Sequence, residues 1–397
     1  RVPAEERVQY LFKLKALLET HADELAAIVT RENGKTLSEA RGSVRRGIQM
    51  VEVACGAPSL LMGQALEDVA HGIDCESVRQ PLGVFACIAP FNFPAMVPLW
   101  FFPFAVACGN TFVSKPSEQV PLSQRLIFQL VHDAGFPAGV LNLVNGAKET
   151  VDALLAHPLI RGVSFVGSSP VAEYVYKTGA ANGKRVQALG GAKNFIIVMP
   201  DAEMDKAIDA IAESAFGCAG ERCLAASVVL AVGDAPAKLR AGLIERIRDT
   251  KVGDGTKADT TMGPIISQKS KERVLGYIDK GVKEGAELVC DGRKVKVDEQ
   301  GYFLAPSLFD GVTPQMTIAK EEIFGPVLCM MRVPGLDEAL TIASKHPLAN
   351  ASSIFTTSGK SARTFRYNIE ASMAGVNIGV AAPMSFFGFG GAKGSFF

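Results

Sequence analysis

The chain has 397 residues, and its 41 basic and 41 acidic side chains cancel at neutral pH. A balanced charge gives no field to gather nucleic acid or an anionic membrane, so a small molecule is the expected partner. The length exceeds what one hydrophobic core usually supports, which predicts two compact domains.

Eight cysteines (Cys55, Cys75, Cys87, Cys108, Cys218, Cys223, Cys290, Cys329) are scattered through apolar surroundings without a Cys-x-x-Cys pair. They read as reduced thiols in a cytosol-like compartment. The five histidines (His21, His71, His132, His157, His346) show no metal-ligand spacing, so no metal site is predicted.

In chain order, residues 1–36 form an amphipathic opening with acidic as well as basic side chains, unlike a signal or transit peptide. GSVRRGIQMVEVA (42–54) reads as an early helix carrying Arg46. Residues 83–113 are long and apolar enough to mimic a membrane span, but Pro90, Pro94, Pro98 and Pro103 would interrupt such a helix. A buried strand, a loop and a packed helix are expected there instead. TFVSK (111–115) is a strand, PLSQRLIFQLVHDAG (121–135) a helix, VLNLVNG (140–146) a strand, ETVDALLAHP a helix, and GVSFVGSSP (162–170) a strand running into a helix start. Strands separated by helices make βαβ units and hence a parallel sheet covered on both faces.

A second series starts near Asn194. NFIIVMP reads as a strand, and DAEMDKAIDAIAESAFG as a helix with Ile208, Ile211, Ala215 and Phe216 on one face, stopped by Gly217. The strand SVVLAV, two helices, the strand PVLCMMRV and the helix LDEALTIASKHP continue the alternation. The domain boundary is placed near residue 195.

Between helix and strand lies GCAGERCLAAS (217–227), with two cysteines in a glycine-containing loop. Such a loop can present a side chain, and Arg222 with nearby N–H groups favours a thiolate at one sulfur. A cysteine beside Ala and Leu is equally a packing residue. Cys223 has the charged neighbours and Cys218 small apolar ones, so Cys223 is taken as the candidate nucleophile and Cys218 as structural.

PFNFP (90–94), KPSE (115–118), SFVGS (164–168), GERC (220–223) and EEIFGPV (321–327) occur in this order over almost the whole chain. Together they resemble the aldehyde dehydrogenase superfamily. APFNFPAMVPLWFFPFA, ALGGAKN (188–194) and FGCAGERC are similar to its CoA-acylating methylmalonate-semialdehyde dehydrogenase branch. The resemblance implies an α/β fold, with a Rossmann-type NAD-binding domain (1–195), a second α/β catalytic domain (196–384) carrying the nucleophile, and a C-terminal remnant (385–397). It implies Cys223 as the thiolate that adds to an aldehyde, with Asn92 and the Cys223 N–H stabilising the oxyanion. By itself, Asn92 is also an ordinary turn residue between prolines.

For NAD, the resemblance implies Lys115 and Glu118 at the adenosine ribose, joined by Gln119. Ser168 falls at the pyrophosphate, Ala89 and Phe91 flank the nicotinamide, and Glu322 and Phe324 hold its ribose. A carboxylate at Glu118 would repel a 2′-phosphate, which favours NAD over NADP. KPSE is also a common surface turn, and Ser168 an ordinary helix cap. No GxGxxG follows the strand ending at Gly167, and GFGGAKG (388–394) follows no βα unit, so it is read as a loop.

Hydrolytic members of the superfamily carry ELGGK, whose glutamate activates water. Here ALGGAK puts Ala188 or Leu189 in that place, and neither can accept a proton. A thiol such as coenzyme A would then collect the acyl group. Arg222 and Arg46 resemble the guanidiniums that bind a semialdehyde carboxylate, although Arg46 fits a solvated helix face as well. The implied reaction is NAD-dependent oxidation of methylmalonate or malonate semialdehyde, with loss of carbon dioxide, to propionyl-CoA or acetyl-CoA. Such steps belong to valine and inositol breakdown. A hydrolytic aldehyde dehydrogenase and a catalytically silent nucleotide-binding fragment are the alternatives.

Family members begin with a strand-rich segment and end with an oligomer-forming strand. Both are absent from this sequence, so its oligomerisation segments are expected to be truncated; a homo-oligomer, dimer or tetramer, is expected of a full-length chain. The cytoplasm is the expected location, with the mitochondrial matrix compatible.

Overall fold

A computed structural model describes residues 2–297 and 300–397. The chain divides into two compact units, Arg1–Glu32 with Ala40–Ala188, and Asn33–Glu39 with Leu189–Phe397.

The first series comprises α1 (Ala4–Thr20), α2 (Ala22–Asn33), α3 (Leu37–Cys55), α4 (Ala57–Leu60), β1 (Ala65–Ala70), β2 (Ile73–Glu76), β3 (Val84–Ile88), α5 (Met96–Leu99), α6 (Phe102–Ala107), β4 (Thr111–Lys115), α7 (Leu122–Asp133), β5 (Leu141–Leu143), α8 (Lys148–Ala156), β6 (Ile160–Val166), α9 (Ser169–Ala181) and β7 (Arg185–Leu189). β1 and β2 form an exposed antiparallel hairpin. The remaining strands make a five-stranded sheet in the order β5-β4-β3-β6-β7. β3 pairs in parallel with β4 and with β6, and β4 with β5. The apolar stretch 83–113 is a strand followed by two short helices rather than one. Pro98 lies inside α5 and Pro103 in the first turn of α6, so no continuous helix forms there. Among the described residues, no helix is long and apolar enough to cross a membrane.

The second series is β8 (Asn194–Val198), α10 (Met204–Phe216), β9 (Ala226–Val232), α11 (Ala235–Arg248), α12 (Gln268–Lys283), β10 (Glu287–Cys290), β11 (Ser307–Asp310), α13 (Thr317–Lys320), β12 (Val327–Val333), α14 (Leu336–Lys345), β13 (Leu348–Ala349), β14 (Ala351–Phe355), α15 (Gly359–Asn368), β15 (Met373–Val376) and β16 (Ala392–Lys393). A seven-stranded sheet runs β10-β11-β12-β9-β8-β14-β15, antiparallel only between β10 and β11. β9 is central, and its run from Val228 to Ala231 is sealed from solvent, as a strand covered on both faces requires. Each such valine or leucine contributes roughly 1.5–3 kcal/mol.

The boundary expected near residue 195 falls inside β8. That strand pairs with β9 and β14, so it belongs to the second sheet, and the division comes after Ala188 instead. Residues 385–397 do not stand apart: β16 pairs antiparallel with β13, and the Gly190 N–H donates to the Ser395 carbonyl at 2.9 Å.

Candidate active site

In the first unit, the chain builds outward from β3 through β4 to β5, then returns to lay β6 on the other side of β3. Open α/β sheets bind ligands beyond the C-terminal strand ends at such a reversal. Several expected cofactor residues lie at or just after the ends of β3, β4 and β6. The Ala89 N–H, just past β3, donates to the carbonyl of Lys115 at 3.0 Å. Lys115 ends β4 and is buried, with its ammonium 3.4 Å from the exposed Glu118 carboxylate. Exposed Gln119 is tied in through its N–H, which donates to Ser117 Oγ at 3.4 Å. Ser168 is the N-cap of α9, yet its hydroxyl makes no capping bond and is not consumed by the helix. Phe91 is half-buried and Asn92 buried in the loop after β3, while Arg46 is half-buried midway along α3.

In the second unit, α10 stops where Gly217 leaves the helical region, at ψ 142°. A single 3-10 turn, Gly217–Gly220, follows. Cys218 and Ala219 inside it take left-handed conformations, φ 50° and 54°, each costing on the order of 1–3 kcal/mol. Gly220 continues at φ 71°, and a Cβ there would run into the Gly325 carbonyl, so GERC and EEIFGPV approach backbone to backbone. A Cβ at Gly217 would strike the Arg222 guanidinium. Beyond Cys223, Asn194 pins the chain: its Nδ2 donates to the carbonyls of Cys223 (2.8 Å) and Ala225 (2.9 Å), and its Oδ1 accepts the Ala351 N–H at 3.1 Å. Ser214 Oγ accepts the Ala226 N–H at 3.0 Å.

Cys218, read from the sequence as having small apolar neighbours, has charged ones in the structure. The Arg222 side chain turns back along the loop, with Nη2 3.1 Å from Glu39 Oε1 and Nη1 3.3 Å from the Glu213 carbonyl. Burial opposes its charge, but Cys218 and Glu39 outweigh burial and hold its pKa above the ordinary value. Lys35, fully buried, has its ammonium pushed down by burial while Cys218 and Glu39 pull it back up. Both cations therefore interact with Cys218, which lies in the left-handed turn. Cys223 is the more accessible thiol, half-buried where Cys218 is buried.

Glu221 lies between these groups, 3% exposed, with its carboxylate accepting the Ile266 N–H at 3.2 Å. Burial pushes its pKa to about 8 against that bond, Arg273 and Lys35. Glu322 Oε1 accepts the Ala192 N–H at 3.0 Å, and burial lifts its carboxyl to about 7 against the same bond, Lys193 and Arg273. Phe324 stands at φ 54°, its carbonyl 3.5 Å from Arg273 Nη2. Ala188 and Leu189 are buried and apolar.

Glu39, Lys35, Asn194 and Glu221 were not singled out as site residues by sequence. Asn194 and Glu221 lie inside quoted motifs, which was a signal available for both. Glu39 and Lys35 come from a segment far upstream of the loop, and no local pattern marks them.

The profile of the aldehyde dehydrogenase family matches residues 1–397. The chain is 52% identical over 397 residues to a malonate-semialdehyde dehydrogenase of Halalkalibacterium halodurans, covering all of this chain and 82% of that protein. The crystal structure of a methylmalonate-semialdehyde dehydrogenase from Oceanimonas doudoroffii superposes with a TM-score of 0.98 at 49% identity, covering 100% of this chain and 82% of that one. A provisional methylmalonate-semialdehyde dehydrogenase from Sinorhizobium meliloti, solved in complex with NAD, gives a TM-score of 0.98 at 44% identity and covers 100% and 81%.

Proposed function

This chain belongs to the aldehyde dehydrogenase family, and we propose that it oxidises malonate or methylmalonate semialdehyde with NAD and passes the acyl group to coenzyme A. The observation that carries the CoA step is the buried, apolar pair Ala188 and Leu189, which offers no base for water where hydrolytic relatives keep a glutamate. The identity to malonate-semialdehyde dehydrogenases supports the substrate class.

In this reading the Cys223 thiolate adds to the aldehyde carbon, and the Asn92 amide and the Cys223 N–H take the charge developing on oxygen. NAD, when bound, supplies a hydride acceptor. Lys115, Glu118 and Gln119 hold its adenosine ribose, and the Ser168 hydroxyl and the first N–H groups of α9 its pyrophosphate. Ala89, Phe91, Glu322 and Phe324 orient the nicotinamide end. The resulting thioester on Cys223 is attacked by the CoA thiolate, which expels the cysteine sulfur. For malonate semialdehyde the balance is semialdehyde, NAD and CoA in, and acetyl-CoA, carbon dioxide and NADH out. Arg222, which also binds Glu39 and the Glu213 carbonyl, and Arg46 together recognise the semialdehyde carboxylate. A cytoplasmic location goes with this reading, and the bacterial relatives lend nothing to a mitochondrial one.

A hydrolytic outcome is the second reading, favoured by one observation: burial pushes the Glu221 carboxyl, two residues before Cys223, up to about 8, so it becomes available as a base within the same loop as pH rises toward that value. The two readings separate in one assay of NADH formation from either semialdehyde, with and without CoA, beside Cys223→Ala. CoA-dependent turnover abolished by the substitution supports the first reading. Equal turnover without CoA supports the second, and an active alanine variant removes both.

A further inference from the structure

Two successive non-glycine residues in the left-handed region, Cys218 and Ala219, do not hold that conformation by themselves; the surroundings must impose it. One carboxylate brackets them. Glu39 Oε1 accepts the backbone N–H of Cys218 at 2.6 Å on one side of the strained pair and Arg222 Nη2 at 3.1 Å on the other, and Cys223 is the next residue. Its second oxygen does separate work: Oε2 accepts the N–H of Thr36 at 2.9 Å and its hydroxyl at 3.0 Å, while Thr36 Oγ1 accepts the Glu39 N–H at 3.3 Å. That reciprocal pair closes a capping box on α3, whose first turn is further fixed by the Leu37 N–H on the Gly255 carbonyl at 3.0 Å. The carboxylate is thus held rigidly by its own helix before it grips the loop. The Glu39–Arg222 pair is largely buried, where a charge-assisted bond is stronger than at the surface.

We propose that Glu39 is a positioning residue for the reaction: through Oε1 it locks the 217–223 turn so that Cys223 is presented to substrate, independently of its capping of α3 through Oε2. The inference rests on Cys223 being the reacting thiol. Glu39 touches neither substrate nor cofactor in this scheme and acts only through the loop.

The test is site-resolved alkylation by iodoacetamide, followed by peptide mass spectrometry, in the whole chain and in Glu39→Ala, Glu39→Gln and Thr36→Ala. Loss of the lock slows labelling of Cys223 by about tenfold or more, the scale of a small misplacement of a reacting group, and speeds labelling of the buried Cys218. Thr36→Ala removes only the two hydroxyl bonds of the box and leaves the residue-36 N–H on Oε2 to hold the carboxylate, so it lowers the melting temperature but keeps the wild-type ratio of Cys223 to Cys218 labelling. Glu39→Gln keeps one acceptor for two tasks and falls between, so it carries the result if the alanine variant does not fold. The idea is overturned if Thr36→Ala reproduces the labelling change, or if both Glu39 variants label as wild type. Failure of the underlying reading looks different: Cys223→Ala would go on forming NADH, whatever the labelling ratios.

Discussion

Replacing Glu221 by glutamine should stabilise the protein, and increasingly so as pH rises. The carboxylate is buried and its pKa stands at about 8 against an ordinary 4.5, with burial the largest cause. The charges that face it, Lys35 from the segment before α3 and Arg273 from α12, pull the other way without cancelling burial. A folded pKa above the unfolded one means that the folded state binds the proton more tightly. Its contribution is therefore complete below about pH 4.5 and is lost as pH climbs through 8. At about 1.4 kcal/mol per unit, the rise from 4.5 to about 8 amounts to roughly 5 kcal/mol, an upper bound once local relaxation and water entry are allowed for. Glutamine keeps an acceptor for the Ile266 N–H and cannot ionise. Urea unfolding midpoints of both proteins, compared at matched pH, should lie together at and below about pH 4.5, separate steadily in favour of Glu221→Gln as pH rises toward about 8, and level off above it. Subtracting one protein from the other removes the titration of every shared group. Parallel curves across the range would mean instead that Glu221 ionises as easily folded as unfolded, and that its burial carries no such cost.

Asn194→Ala removes three hydrogen bonds that pin the end of the cysteine loop; at roughly 1 kcal/mol each it should cost about 3 kcal/mol in chemical denaturation and slow Cys223 alkylation. Asn92→Ala should lower kcat by about a hundredfold or more, as loss of an oxyanion donor does, while KM for NAD stays put; an unchanged kcat would remove Asn92 from the mechanism. Glu118→Gln should raise the ratio of kcat/KM for NADP over NAD by on the order of tenfold, since the carboxylate no longer opposes a 2′-phosphate. A ratio unmoved by that change would place the ribose elsewhere.

The strands with continuous apolar runs were legible because burial on both faces leaves its mark on each residue. TFVSK became β4 with the expected limits, and NFIIV and VLCMMRV lie at β8 and β12. β14 escaped notice because its sequence, ASSIF, hides two serines in the sheet; Ser352 is tolerated there only by donating its hydroxyl to the Phe195 carbonyl at 2.8 Å. The α10 helix and its Gly217 stop were likewise readable from spacing. The electrostatics of the cysteine loop were not. Adjacency of Arg222 and Cys223 in sequence suggested that they share a charge, but a left-handed turn sends the guanidinium to Cys218 and Glu39. Glu39 reaches Cys218 across 179 positions, a separation that no local pattern spans.

The proposed reaction turns on a thioester at Cys223 that waits for coenzyme A. Mixing the protein with NAD and malonate semialdehyde in the absence of CoA, then quenching for peptide mass spectrometry, tests it most directly. A single burst of NADH near one equivalent per chain is expected, with an acyl group on the peptide that contains Cys223 and resumed turnover when CoA is added. Sustained NADH formation at the same rate without CoA, or the same burst from Cys223→Ala, would contradict it.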